Sequence, residues 1–298
     1  MSLKGIAKCT IGVYGARVAL SESTMDAFLA DAIRASLFFG CFAKAKDLQL
    51  NLSRRQLFRA SPSEWRANQL ERRLLQGATV SPDTDVLRFF TSVYRNQLGL
   101  TSSWLSQGEG KTLSCLQVLE DIEKNNPDSA FLLVSVRNRP IEAALRETLH
   151  IHPKIRVEDV VADLTLSTRI GSGRRPQTIY GLIDQVEEWF DTDNGILRCL
   201  VCQQHENLRI HVPCGIPEVA LRFDKVNGKH KYKSKCLGSA GKDGIHEFSV
   251  DQAESYIRSF CHDSSRATAI LERAKNTSVQ QNHPLCPRLC AEASRLVD

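Results

Sequence analysis

Gln107-Gly108-Glu109-Gly110-Lys111-Thr112 (QGEGKT) is the stretch on which the fold turns. Gly-Lys-Thr entering a helix is the end of a phosphate-binding loop, where backbone amides and a lysine cradle phosphates. The full pattern wants a glycine five positions before Gly110, where Leu105 stands, a departure that some helicase-like motors tolerate. Upstream, residues 89–104 (FFTSVYRNQLGLTSSW) read as helix and loop rather than as the buried strand such a loop follows. Downstream, Val134-Ser135-Val136 leads into Arg137, not an aspartate that could hold a metal. The segment is therefore read as a helix start with glycines, and no cofactor is assigned to it.

Working outward, residues 5–20 read as one or two strands with a turn at Gly12 and Gly15. A helix capped by Ser23 or Thr24 runs to about Ala45, and LQLNL at 48–52 alternates like a short strand. Ser61-Pro62-Ser63-Glu64 and Ser81-Pro82-Asp83 are helix starts, serine capping and proline at the first helical position, with Gly99 placed to end the second. Residues 113–123 read as another helix. The apolar run 130–136 (AFLLVSV) marks a strand covered on both faces. A short helix opens at Pro140.

Beyond residue 150 the pattern shifts to spaced strands: 178–186, 196–202 paired as a hairpin with 208–212, then 228–236 and 245–250, with a short helix at 218–223. A helix at 264–275 and a mobile polar stretch at 276–283 finish the chain. The expected fold class is α+β. A mixed α/β-helical region (1–152) precedes a small β-barrel-like module of OB or SH3 size (153–262), and a helical tail spans 263–298.

The 298 residues are 42% hydrophobic and 24% charged, so a sizeable core can be buried. No apolar run is long enough to span a bilayer, and the N-terminal residues lack the order of a secretion signal, so no membrane partner and a cytoplasmic location are expected. The ten cysteines sit largely in apolar runs, as reduced core thiols do. The net charge of +5 permits an acidic partner without demanding one.

Cys199 and Cys202, with His211 and Cys214, have the spacing of a tetrahedral zinc set. Residues at i and i+3 on a strand face opposite sides, so core thiols in a hairpin are the preferred reading and no metal is assigned. His283, Cys286 and Cys290 form a weaker, partial set. Cys261-His262-Asp263 is too local for a catalytic triad, and His150 with His152 lacks a carboxylate set. No catalytic residue is assigned.

Lys229, Lys231, Lys233 and Lys235 alternate with other residues, Tyr232 among them. A period of two sets four ammonium groups on one strand face about 6.6 Å apart, near the phosphate spacing of an extended single strand. Arg174 and Arg175 flank the Gly171–Pro176 loop and suit phosphates. Arg54, Arg55, Arg59, Arg66, Arg72 and Arg73 add basic faces. The leading expectation is a non-enzymatic nucleic-acid-binding accessory or regulatory protein, with nucleic acid and other protein subunits as partners. The first alternative is a protein-interaction adaptor whose lysines only guard an edge strand. The second is a P-loop-like nucleotide-binding enzyme using Gly108 to Thr112.

Overall fold

A computed structural model describes residues 10–13, 16–19, 21–72, 75–81, 84–105, 110–126, 128–137, 139–166, 178–186, 208–225, 235–240 and 248–297. Strands β1 (Thr10–Val13) and β2 (Ala16–Ala19) pair as an antiparallel hairpin. Ser21 caps α1 (Glu22–Phe38) by accepting a hydrogen bond from the Thr24 amide. Gly40, at φ 70°, breaks the helix and α2 (Phe42–Arg59) begins, so the single helix read to Ala45 is two. LQLNL lies inside α2. Its alternation comes from Gln49, buried and donating to the His150 carbonyl, and Asn51, which faces solvent.

After α3 (Pro62–Arg72) and α4 (Asp85–Asn96), five strands build one sheet: β3 (Gly99–Trp104), β4 (Ala130–Ser135), β5 (Ile179–Asp184), β6 (Leu208–Cys214) and β7 (Lys235–Ser239). Their order is β4-β5-β6-β3-β7, and every pairing is parallel. The crossover after β3 carries α5 (Lys111–Asn125). α6 (Ile141–Thr148) and α7 (Val157–Leu166) follow β4, and α8 (Pro217–Arg222) follows β6. Parallel strands need such crossovers, and the helices cover both faces.

This open parallel sheet overturns the expected α+β fold with a C-terminal barrel. β6 does not sit in a hairpin; it pairs in parallel with β3 and β5. β7 pairs in parallel with β3, and Val250 starts helix α9 (Val250–Arg258) instead of ending a strand. Spacing alone made these strands resemble a barrel, because α8, the helix described between β6 and β7, has only six residues. The nucleic-acid-binding accessory reading drew on that barrel, and the open sheet gives it no support. Two C-terminal helices complete the chain, α10 (Ser264–Gln281) and α11 (Pro287–Ser294). The polar stretch 276–283 is thus mostly helix: Asp263 caps α10, and Asn282 in the left-handed region ends it.

Alternation sorts the core. Leu132 and Val134 of β4 pack with α1, α2, α6, α7 and α8, while Phe131 and Leu133 pack with Phe90, Tyr94, Leu116 and Leu119 of α4 and α5. Burying each such side chain contributes roughly 1.5–3 kcal/mol. The Ile210 side chain of β6 lies over its register partner Gly181 of β5, which has none; a Cβ there would lie 2.6 Å from Cγ1 of Ile210. A third apolar cluster joins α9, α10 and α11 to Leu70, Leu75 and Leu113, and so sets the C-terminal helices against the start of α5.

Candidate nucleotide site

β3 is buried along its length although its sequence is GLTSSW. Such a strand is stable only if its hydroxyls are bonded. Thr101 Oγ1 and Ser103 Oγ each lie 2.9 Å from a ring nitrogen of His211, Nδ1 and Nε2, while Ser102 donates to the Ala220 carbonyl at 2.9 Å. All three hydroxyls, two on one face of β3 and one on the other, are thus satisfied by β6 and α8. His211 is fully buried against Phe89, Phe90 and Tyr94, and burial holds its pKa down at about 3, so it is neutral. The polar composition is what made this strand read as loop. Leu105, in place of the pattern's glycine, continues the ladder: its amide donates to the Cys214 carbonyl at 3.1 Å.

The chain therefore runs from a buried strand into the glycine-bearing loop. Gln107, Gly108 and Glu109 lie outside the described residues. Gly110 is the residue before α5 and has φ 85°, a left-handed conformation that costs little only for glycine. A Cβ there would also meet Pro287 Cγ at 3.4 Å. Lys111 and Thr112 form the first turn of a 15-residue helix, whose free N–H groups and dipole favour an anion.

The acidic strand exists, but it is β5 rather than β4. Asp184 ends β5 with only 3% of its surface exposed, and Thr112 Oγ1 donates to its two carboxylate oxygens at 2.9 and 3.0 Å. The run Ile179-Tyr180-Gly181-Leu182-Ile183-Asp184, an apolar strand ending in aspartate, carried the signal. It went unseen because the acid was sought on the strand next in sequence, whereas the sheet places β5 and β6 between β4 and β3. Beneath the pair, the Cys115 thiol is pushed well up, first by burial and then by the Asp184 charge. Beside it, Gln185 sits at φ 64° and its Oε1 accepts from Ser135 Oγ at 3.1 Å.

Above α5 lies a cavity of about 190 Å³ lined by Gly110, Leu113, Leu75, Tyr256, Pro287 and Arg288, with Arg295 also on its wall. It combines apolar walls with a charged edge from α11, where Arg288 pairs with Glu292 at 2.7 Å beside Arg295. The site lies at the carboxyl ends of the strands beside β3, where the strand order reverses, which is where open parallel sheets bind ligands.

The other sequence candidates do not join this site. Lys235 is exposed on the edge strand β7, and the other three lysines, Tyr232, Arg174 and Arg175 lie outside the described residues. Cys199 and Cys202 also lie outside them. His211 faces the aromatic rings of α4 while Cys214 belongs to the cluster on the opposite sheet face, so these two cannot share a metal. Among the described residues no group of three metal-binding side chains forms. Asp263 is a helix cap, and His152 Nδ1 accepts from the Lys154 amide. Arg55 and Arg59 pair with Asp26, and Arg66 pairs with Glu120. No helix among the described residues is long and apolar enough to cross a membrane.

No family model matches the chain, and no curated protein matches it significantly. Solved structures are similar at low values, and three illustrate them. Cdc6p from Pyrobaculum aerophilum is 12% identical, with TM-score 0.35, over 72% of this chain and 65% of that one. The Walker-type ATPase paby2304 of Pyrococcus abyssi is 13% identical, with TM-score 0.40, over 74% of this chain and 64% of that one. Domain III of the Thermotoga maritima replication initiation protein DnaA is 9% identical, with TM-score 0.40, over 74% of this chain and 98% of that domain. The chain thus spans just under two thirds of the first two. At these scores the likeness carries no weight for function, which rests on the site itself.

Proposed function

We propose that the chain binds a nucleoside triphosphate, with magnesium, between the start of α5 and the ends of β3 and β5. The observation that carries this is the hydrogen-bonded pair Thr112–Asp184 at the N-terminus of a helix opened by Gly110-Lys111. Phosphates seated on the first-turn amides of α5 would take the Lys111 ammonium as a point charge.

The residues fit a magnesium ion. Thr112 and Asp184 offer hard oxygen donors, one neutral and one anionic, and magnesium takes few protein ligands when phosphate oxygens and water supply the rest. Bound there, the ion would neutralise charge on the phosphates. The protein's own contribution is to fix the donor positions: Thr112 is held by the helix, and Asp184 by its place at the end of a central strand. The cavity beside Gly110 has apolar walls suited to a base.

The test is an equilibrium titration of fluorescent ATP and GTP derivatives with magnesium present. Saturable binding is expected, weakened at least about tenfold (~1.4 kcal/mol) by Lys111→Ala with the fold unchanged. No binding by the wild-type chain sinks the proposal.

A further inference from the structure

The residue that follows Asp184 is an amide held in an uncommon conformation. Gln185 has φ 64°, a left-handed backbone that costs a non-glycine residue on the order of 1 kcal/mol and persists only where its surroundings impose it. Ser135 Oγ, from the neighbouring strand β4, fixes the side chain by donating to Oε1 at 3.1 Å. With the acceptor oxygen engaged, the Nε2 donors have no partner among the described residues. This partly exposed amide belongs to the residue that directly follows the aspartate paired with Thr112.

We infer that Gln185 positions the attacking water at this site without taking its proton, so that the protein holds its nucleoside triphosphate in a long-lived state and turns it over slowly. The inference rests on the proposed nucleotide site and adds what that site does with its ligand. Hydrolysis forms a bond from the water oxygen to the terminal phosphorus and breaks the bond from that phosphorus to the bridging oxygen. The water's proton must also leave. A carboxylate can accept it; a neutral amide donates and accepts hydrogen bonds but has no basic site near neutral pH. With Gln185 in this place the proton passes to the departing phosphate itself. Asp184 is already committed, since its two oxygens accept from Thr112. Sites in which a glutamine alone orients the water turn over on the order of 10⁻⁴ per second unless a further cation is supplied.

The experiment measures single-turnover hydrolysis of magnesium ATP and magnesium GTP beside their binding, for the full chain and for Gln185→Glu. The wild-type chain is expected to bind and to hydrolyse more slowly than about 0.01 per second. Gln185→Glu is expected to bind within about threefold of wild type and to react at least about tenfold faster, since a positioned base contributes roughly 10²–10⁴-fold. A structural role for Gln185 would lower the rate or leave it unchanged. If Gln185→Glu does not fold, Gln185→Asp places the same chemistry on a shorter stem. Wild-type turnover near 1 per second, or an unaltered rate in a folded, binding carboxylate variant, overturns the inference and leaves the binding site standing. No binding by wild type removes both.

Discussion

Thr112 and Asp184 are 72 positions apart in the sequence, yet the threonine hydroxyl donates to the carboxylate at 2.9 Å in the buried interior. The contact exists because the sheet sets β5 one strand from β3, with β6 between them, and α5 crosses above both. A carboxylate buried this deeply is costly unless bonded. If the pair is the magnesium ligand set, Asp184→Asn should remove the dependence of nucleotide affinity on magnesium and weaken binding at least about tenfold at saturating metal. A magnesium titration of nucleotide binding, wild type beside variant, reads this. A variant that keeps full magnesium dependence would place the metal elsewhere.

Gly110 carries a backbone requirement as well as a steric one. Gly110→Ala forces a side chain into φ 85° and against Pro287. The conformation should cost about 1–2 kcal/mol, read as a lowered midpoint in urea unfolding. Pro287→Ala combined with it should restore only the part due to contact, since the left-handed strain remains.

Gly181 and Ile210 should be coupled. Gly181→Ala puts a Cβ 2.6 Å from an Ile210 methylene in a packed core, and overpacking of this kind costs roughly 1–3 kcal/mol. Ile210→Val trims that side chain. The double variant should be more stable than the sum of the two single losses predicts, and a double-mutant cycle of unfolding free energies measures the difference. Simple additivity would mean that the strands separate without strain.

His211 makes the protein acid-sensitive. Its folded pKa, about 3, lies below the ordinary value of 6.5, because burial disfavours the charged ring. Neutral His211 is the form the fold accepts, so its contribution is intact above pH 6.5. It is lost as the pH falls from 6.5 toward 3, because the unfolded chain takes up a proton that the folded chain refuses. The slope is about 1.4 kcal/mol per pH unit in that window. Urea unfolding at several pH values should show a shallower slope for His211→Gln by about that amount, whatever its stability at pH 7. Parallel slopes would show that the ring is protonated in the folded state.

Much of the helical half was legible. Ser61-Pro62 starts α3, the 113–123 pattern lies within α5, and AFLLVSV is a strand buried on both faces, because these follow local rules of capping and periodicity. β3 was not legible: its serines and threonine are made compatible with burial by His211 and the Ala220 carbonyl, each more than a hundred residues away. Separation along the chain also hid Asp184, 72 positions from Thr112. Its strand was read, but nothing local says that β5 rather than β4 lies near the glycine loop; that follows from strand order. The C-terminal barrel shows the converse error. Spaced strands are a local signal, and reading them as a barrel required pairings the sequence does not specify; β6 and β7 pair in parallel with β3 instead.

The central claim is that Lys111 and the start of α5 hold the phosphates of a magnesium nucleotide. A ligand that binds only the folded chain raises its unfolding midpoint in proportion to affinity, by about 2.7 kcal/mol of added stability at a hundredfold excess over Kd. The measurement is thermal unfolding of wild type and Lys111→Ala across a series of magnesium ATP and magnesium GTP concentrations. The account predicts a midpoint that climbs with one of the two nucleotides for wild type and stays flat for Lys111→Ala, with equal midpoints in their absence. A flat response from the wild-type chain, or the same climb in Lys111→Ala, would contradict it.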